Sequence, residues 1–419
     1  MRSSQSEQSA NCAQLAMSGE THVVTIPIDT APAENGALKI LMTDPHLKGG
    51  GQVRYVVNLS RELVRLGHQV TIGCKPDSVL AEGARDAGCG VLNEFSYRGG
   101  LRPRCWLRDI ARARRFIAEA KPDILHANGS QDHWVSAVAN RLDGFPATMV
   151  RTRHNTYAVS ESWANGTLNR AWTDYQIAVC EAVFELRATR PVFDATRMCA
   201  IHNGVDPDAF KPNPETRRRM RGAFGFDEDQ VVLGMAARLT EAKGHQFLFR
   251  AVTGLKARHP ALRLLILGQG DLESHLKRLA GELGIADITT FAGFRTDIAN
   301  CVQAFDVGVQ PSIDCEASSF SVMEQMATEV PMVASDHGGT KEIVRDGQDG
   351  YIVPQGTVEP LAEALEKLMA DPALRKQMGV SARQRIAEEF TLTKLAERTV
   401  AAYRRALDVH GARRHNVVP

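Results

Sequence analysis

LKILMTD (38–44), QVRYVVNLSRELVRL (52–66) and HQVTIGC (68–74) decide the fold class. The first and third are short runs rich in β-branched and aliphatic residues, and the second spaces its apolar residues for one face of a helix. Together they make a β-α-β unit. The alternation returns in KPDILHAN (121–128), ATMVRTRH (147–154) and YQIAVC (175–180), which implies a parallel sheet covered by helices. NGVDPDAFKPNP (203–214) then breaks the pattern, since its prolines and glycine suit neither a helix nor a central strand. It reads as a linker. A second series follows: VVLGMAARL (231–239), LRLLILG (262–268), ITTFAGF (288–294), VGVQPS (307–312), PMVASD (331–336) and GYIVP (350–354). The expectation is an α/β chain of two Rossmann-like domains, 38–205 and 206–385, facing each other across a cleft. Residues 1–37 read as a disordered leader and about 373–408 as helical. The part 386–408 is expected to pack back on the first domain, and 409–419 to form a tail.

The 419 residues are 43% hydrophobic and 24% charged, which excludes a largely disordered or membrane-embedded chain. A net charge of +1 gives no global reason to expect nucleic acid as a partner. The eight cysteines, from Cys12 to Cys315, form no Cys-x-x-Cys pair and no zinc-finger spacing, as expected of reduced thiols in the cytoplasm. Residues 1–37 lack an apolar run of signal-peptide length, and every apolar stretch falls short of the ~20 residues that cross a bilayer.

The chemistry concentrates in DCEASSFSVME (314–324), between a strand end and a helix start. With Ser318 or Ser319 as N-cap, Glu316 stands in the loop and Glu324 in the first turns of the helix. A helix N-terminus attracts phosphate, and a carboxylate accepts hydrogen bonds from two vicinal hydroxyls. Two glutamates eight positions apart arise by chance in many chains, so the weight falls on a second stretch. Arg238-Leu-Thr-Glu-Ala-Lys243-Gly244 follows the strand VVLGMAA and so lies at the same carboxyl edge of the sheet. A forked guanidinium and a compact ammonium suit a diphosphate without a metal ion. Asp206-Pro-Asp208 and Asp227-Glu-Asp229 match an Asp-x-Asp metal pattern in form only, and read as linker and loop acids.

Four ordered motifs then identify a resemblance: Gly49-Gly50-Gly51, Asn203-Gly-Val-Asp206, Arg238-x4-Lys243-Gly244, and Glu316-x7-Glu324 followed by SDHGGTKEIV (335–344) and DGYIVP (349–354). Over about 38–408 the chain resembles the retaining glycosyltransferases of family four, with the GT-B fold. The resemblance implies that Glu316 contacts hydroxyls of the donor sugar, Glu324 the ribose diol, and Arg238 with Lys243 the departing diphosphate. The backbone of Ser318, Ser319 and Phe320 would line the sugar and phosphate subsites. Gly50 and Gly51 would let backbone approach the donor phosphates, and His154 would lie near the transferred sugar. The implied reaction is metal-independent hexosyl transfer from a nucleotide-diphosphate sugar, with retention, to a hydroxyl of a glycan or glycolipid. Lipopolysaccharide or other envelope polysaccharide synthesis is the expected setting. The nucleotide sugar is a substrate, and no cofactor is implied. Ala317-Ser318-Ser319-Phe320 departs from the Gly-Phe-Gly of many relatives and leaves donor identity open.

The first domain carries 22 Lys+Arg against 16 Asp+Glu. Its densest strip, 98–115, includes Arg108, Arg112 and Arg115 with Trp106, Leu107, Ile110 and Phe116 interleaved. Such a strip suits either peripheral contact with an anionic membrane or a solvated helix face. A nucleotide-sugar 2-epimerase, a glycoside hydrolase and a non-catalytic sugar-binding module share parts of this chemistry. The Arg/Lys pair and the Glu-x7-Glu motif argue for transfer instead.

Overall fold

The computed structural model describes residues 36–100, 102–314 and 317–415. Two parallel sheets form its frame. The first runs β3-β2-β1-β4-β5-β6-β7, with β1 Lys39–Thr43, β2 Gln69–Gly73, β3 Gly90–Leu92, β4 Ile124–Ala127, β5 Thr148–Arg153, β6 Tyr175–Ala178 and β7 Met198–Ala200. The second runs β10-β9-β8-β11-β12-β13, with β8 Val231–Ala236, β9 Leu262–Leu267, β10 Thr289–Phe291, β11 Val307–Gln310, β12 Met332–Ser335 and β13 Gly350–Val353. Every pairing within them is parallel. This is the expected pair of Rossmann-like halves. In each the strand order reverses beside the first strand, between β1 and β4 and between β8 and β11. Loops leaving those strands part to opposite faces there and leave a crevice for a ligand.

The helix Gly51–Arg65 shows how sequence builds the layers: Val53, Tyr55, Val56, Leu59 and Leu63 repeat at three and four residues and are all buried. Burying one such aliphatic side chain stabilises by about 1.5–3 kcal/mol. The three-residue edge strands β3 and β7 escaped the pattern. The helical stretch after 373 is two helices, Pro372–Glu389 and Leu392–His415, broken at Phe390–Thr391.

That break is one of two adjacent crossings between the halves. Val205 bridges Thr391, with Val205 N–H donating to the Phe390 carbonyl at 2.9 Å and Leu392 N–H to that of Val205 at 3.1 Å. The Leu392–His415 helix then lies on the first half, against β5, β6 and the helix Gly51–Arg65. Tyr403 Oη and His126 Nδ1 meet at 2.7 Å, and Arg413 donates to Asp174 at 2.9 Å. Glu342 of the second half accepts from the N–H groups of Glu181 and Ala182, at 2.7 and 2.9 Å, and meets His202 Nε2 at 2.6 Å. Burial opposes its charge, but these bonds hold the carboxyl below its ordinary value.

Among the described residues, no helix is long and apolar enough to cross a membrane.

Candidate active site

Three loops from the second sheet edge meet at one place. After β8 the chain passes Arg238 and makes a short 3-10 turn, Glu241–Lys243, closed by Gly244 at φ 72°. A Cβ on Gly244 would stand 1.9 Å from the Pro311 carbonyl oxygen, so only glycine lets the two loops touch. Ile313 N–H donates to the Ala242 carbonyl at 2.9 Å and fastens the loop after β11 to the same turn. Gly268 and Gly270, after β9, likewise press against the carbonyls of Ala237 and Leu239. This is a tight strand-to-helix turn. Arg238 is exposed and Lys243 half-buried at this edge.

Ser319 is the N-cap of the helix Phe320–Ala327, its hydroxyl accepting from Val322 N–H. Ser321 Oγ donates to the Ala236 carbonyl at 2.6 Å, pinning the first turn to the end of β8. Asn203, in the crossing segment, donates from its amide to the Ser318 carbonyl at 2.8 Å and from its backbone to Ser318 Oγ at 3.1 Å. Glu324 is buried and ion-paired with Arg54 of the first half. Burial pushes its carboxyl up, and the Arg54 charge works against that shift. The Arg54 guanidinium also lies 4.8 Å over the Phe320 ring. Glu316 lies outside the described residues, as does Cys315.

From the first half, Gly50 is the N-cap of the helix Gly51–Arg65, whose N-terminal end faces Phe320. A Cβ on Gly51 would come 3.9 Å from Phe320 Cδ2, while one on Gly49 or Gly50 would meet nothing within 4 Å. His154 follows β5, with Nε2 2.9 Å from Asn128 Oδ1 and its ring edge-on to Tyr55. Burial, and after it the Arg151 charge, pushes its imidazole well below the ordinary value, so the ring is neutral at pH 7. The structure thus brings Gly51, Phe320 and Glu324 together, with Ser318 and Ser319 beside them. His154 stands in the first half, against Asn128 and Tyr55.

Arg54, Gln52 and Asn128 belong to this neighbourhood and escaped the sequence reading. One arginine on an amphipathic helix carries no signal of what it meets across a cleft.

Of the arginine strip, Arg104 to Arg115 lie on the helix Pro103–Ala120, and Arg98 and Arg102 precede it. Arg112 and Arg115 pair with Glu94, Arg108 donates to Ser96 Oγ at 3.0 Å, and Trp106 Nε1 donates to the Arg98 carbonyl at 3.2 Å. Ile110 and Phe116 pack on the core, while Leu107 is 67% exposed. Asp206 and Asp227 each accept backbone N–H groups or side-chain amides in their own turns. Among the described residues no three His, Cys, Asp or Glu side chains are grouped to hold a metal ion.

Two family models match in tandem: "Glycosyltransferase Family 4" over residues 49–209 and "Glycosyl transferases group 1" over 216–385. The chain belongs to the group 1, family 4 glycosyltransferases. It is 33% identical to a putative glycosyltransferase of Bacillus subtilis, EpsD, over 58% of this chain and 63% of that protein, so it spans less than two thirds of that relative. It is 28% identical to a D-inositol 3-phosphate glycosyltransferase of Kribbella flavida, over 87% of this chain and 92% of that one. Anabaena HepE, solved in complex with UDP, superposes with a TM-score of 0.76 at 20% identity, covering 87% of this chain and 98% of that one. This likeness shows that the fold is GT-B, as the sequence implied.

Proposed function

We propose that this family member transfers a hexosyl group from a nucleotide-diphosphate sugar to a hydroxyl of a glycan or glycolipid, with retention and without a metal ion. The observation that carries the reading is that the loop bearing Arg238 and Lys243 meets the loop and Ser319-capped helix that lead to Glu324, at the switch point of the second sheet. The first half supplies a glycine-bordered helix N-terminus opposite them. In this reading Arg238, Lys243 and the two helix termini neutralise the departing diphosphate, a stabilisation that grows as charge develops. Glu324 holds the ribose diol, Glu316 orients the sugar, and neutral His154 offers a hydrogen bond at the sugar's far side. The acceptor proton passes to a leaving-group oxygen. The UDP complex of HepE and the sugar-transfer names of the relatives support a nucleotide-sugar donor. Synthesis of envelope polysaccharide on the cytoplasmic membrane face is the setting we infer, with Leu107 and the Arg108 side of its helix as the peripheral contact.

The test is thermal-shift binding of UDP, GDP, ADP, TDP and CMP, with and without a chelator, followed by NMR of the product anomer. A ligand that binds only the folded chain raises its apparent stability by mass action. Chelator-insensitive stabilisation by one nucleoside diphosphate and a retained anomer are expected. An inverted product would overturn retention, and no stabilisation by any nucleotide would overturn the donor site.

A further inference from the structure

Beside the candidate donor cleft, a cavity of about 540 Å³ opens over the carboxyl ends of β1, β2, β4 and β5. Its wall has one sign of charge: Lys75, Arg98, Arg102 and Arg151 line it with His46, and no Asp or Glu does. Burial, with the neighbouring Arg98 guanidinium, draws the Lys75 amine below its ordinary value. Arg151 is only 5% exposed, and among the described residues its Nε and Nη1 have no hydrogen-bond partner. Tyr97, 2% exposed on the same wall, leaves its hydroxyl equally unpaired. Buried donors without acceptors are costly, so two on one wall mark a place where acceptor oxygens enter.

Burial draws the Arg151 guanidinium below its ordinary value, while Asp132 and Asp44, neither of which lines the cavity, favour its ionised form. Asp132 Oδ2 accepts from the N–H groups of Asn128 and Gly129 at 2.9 and 3.0 Å and from Thr43 Oγ1 at 2.9 Å, while its buried Oδ1 has no hydrogen-bond partner among the described residues. The 13-residue helix Ser130–Leu142 starts at this wall and turns its positive end to the cavity through Ser130 and Gln131. The cavity also adjoins the reacting centre of the proposed transferase. Asn128 and Gln52 line it; the first meets His154, and the second lies two residues from Arg54, the partner of Glu324.

We propose that this cavity binds the phosphate group of a hydroxyl-bearing acceptor, with Lys75, Arg98, Arg102 and Arg151 as its cations. The inference rests on the transferase reading and narrows it, because it sets the class of acceptor. A phosphate monoester offers three oxygens and up to two charges to donors arriving from several loops, whereas a carboxylate offers two oxygens in one plane. A neutral sugar can accept from Arg151 and Tyr97 through its hydroxyl oxygens but brings no charge to the four cations, so the wall favours the phosphate.

Calorimetry on the full chain with inorganic phosphate, glycerol 3-phosphate and plain glycerol tests this. The main variant combines Lys75→Gln, Arg98→Gln and Arg102→Gln, all on the rim, because Arg151→Gln alone strands two buried carboxylates and endangers folding. Wild type is expected to bind both phosphates and not glycerol. The rim variant should weaken that binding at least ~10-fold, the loss of about 1.4 kcal/mol or more, with stabilisation by the nucleoside diphosphate unchanged. Phosphate binding that survives in the rim variant but vanishes in Lys243→Ala belongs to the donor site and overturns the proposal. Absence of phosphate binding in a wild-type chain that still binds nucleotide overturns it too and leaves the transferase reading standing. Sedimentation with phosphatidylglycerol or phosphatidylcholine vesicles separates the two sources. Binding to the anionic vesicles that glycerol 3-phosphate displaces assigns a lipid headgroup, and phosphate binding without vesicle binding assigns a free phosphorylated polyol.

Discussion

Gly244, Gly268 and Gly270 of the second half each face a carbonyl oxygen that a Cβ would approach to 1.9, 2.0 or 2.4 Å. At the matching edge of the first half the loops are held by side chains. His126, His133 and Arg151 are buried there, and Asp132 caps the turn after β4. The same topology is therefore braced in two ways. Backbone pressed on backbone fixes the loops around Arg238, Lys243 and Glu324 and admits few sequences. A mould of side chains around Lys75, Tyr97 and Arg151 is altered by single substitutions, so the first half is the one able to change its ligand.

Substituting the glycines breaks or upholds this contrast most sharply. Gly244→Ala forces a side chain into a left-handed backbone and onto the Pro311 carbonyl, and should cost on the order of 3 kcal/mol or more. Gly49→Ala, where the new Cβ meets nothing within 4 Å, should stay within ~0.5 kcal/mol. Denaturant titration of the two variants decides, and equal losses would erase the distinction.

Function should divide in a second way. Glu324→Ala and Lys243→Ala should each lower kcat on the order of 100-fold with the fold intact. Wild-type turnover in both would remove the second sheet edge from the chemistry.

The side-chain bracing of the first half should also show in its response to acid. Burial drives His126 down to about 3 and His133 well below its ordinary value, so both stay neutral in the folded chain. The unfolded chain protonates them near pH 6.5. Their full contribution is therefore present above that pH, and stability falls as pH drops below it, by about 1.4 kcal/mol per unit for each. In a pH series of unfolding curves the loss should begin near 6.5 and shrink in His133→Gln. A flat profile from pH 7 to 5 would contradict the burial argument.

The last effect is expected at Arg54, one of the residues that join the halves. Arg54→Gln leaves the buried Glu324 carboxyl without its cation; burial already pushes that carboxyl up, so it takes a proton, and the loss should be about 1–3 kcal/mol of stability. The substitution should also change nucleotide affinity, because in this structure the Arg54 guanidinium occupies the carboxylate that the ribose would use. Unchanged affinity would show that the ion pair and the ribose do not compete.

The alternation of β and helical segments, the linker, the capping serine and the Arg238 and Lys243 motif could all be read in the chain, because each is local: a period, a breaker or a short ordered spacing. The short strands β3 and β7 could not. Nor could the break at Phe390–Thr391, where Thr391 bridges a partner nearly two hundred residues away, Val205. Arg151 left one trace, a charged residue within the strand run ATMVRTRH, where an apolar side chain would be ordinary.

Sequence by itself determined the two-sheet architecture and the donor-side motif, since backbone periodicity, turn chemistry and obligatory glycines are written in neighbouring residues. Tertiary structure alone decided that Arg54 reaches Glu324, and that Lys75, Arg98, Arg102 and Arg151 share one cavity without a carboxylate. Charges separated along the chain acquire a common environment only when strand ends from different crossovers are brought side by side.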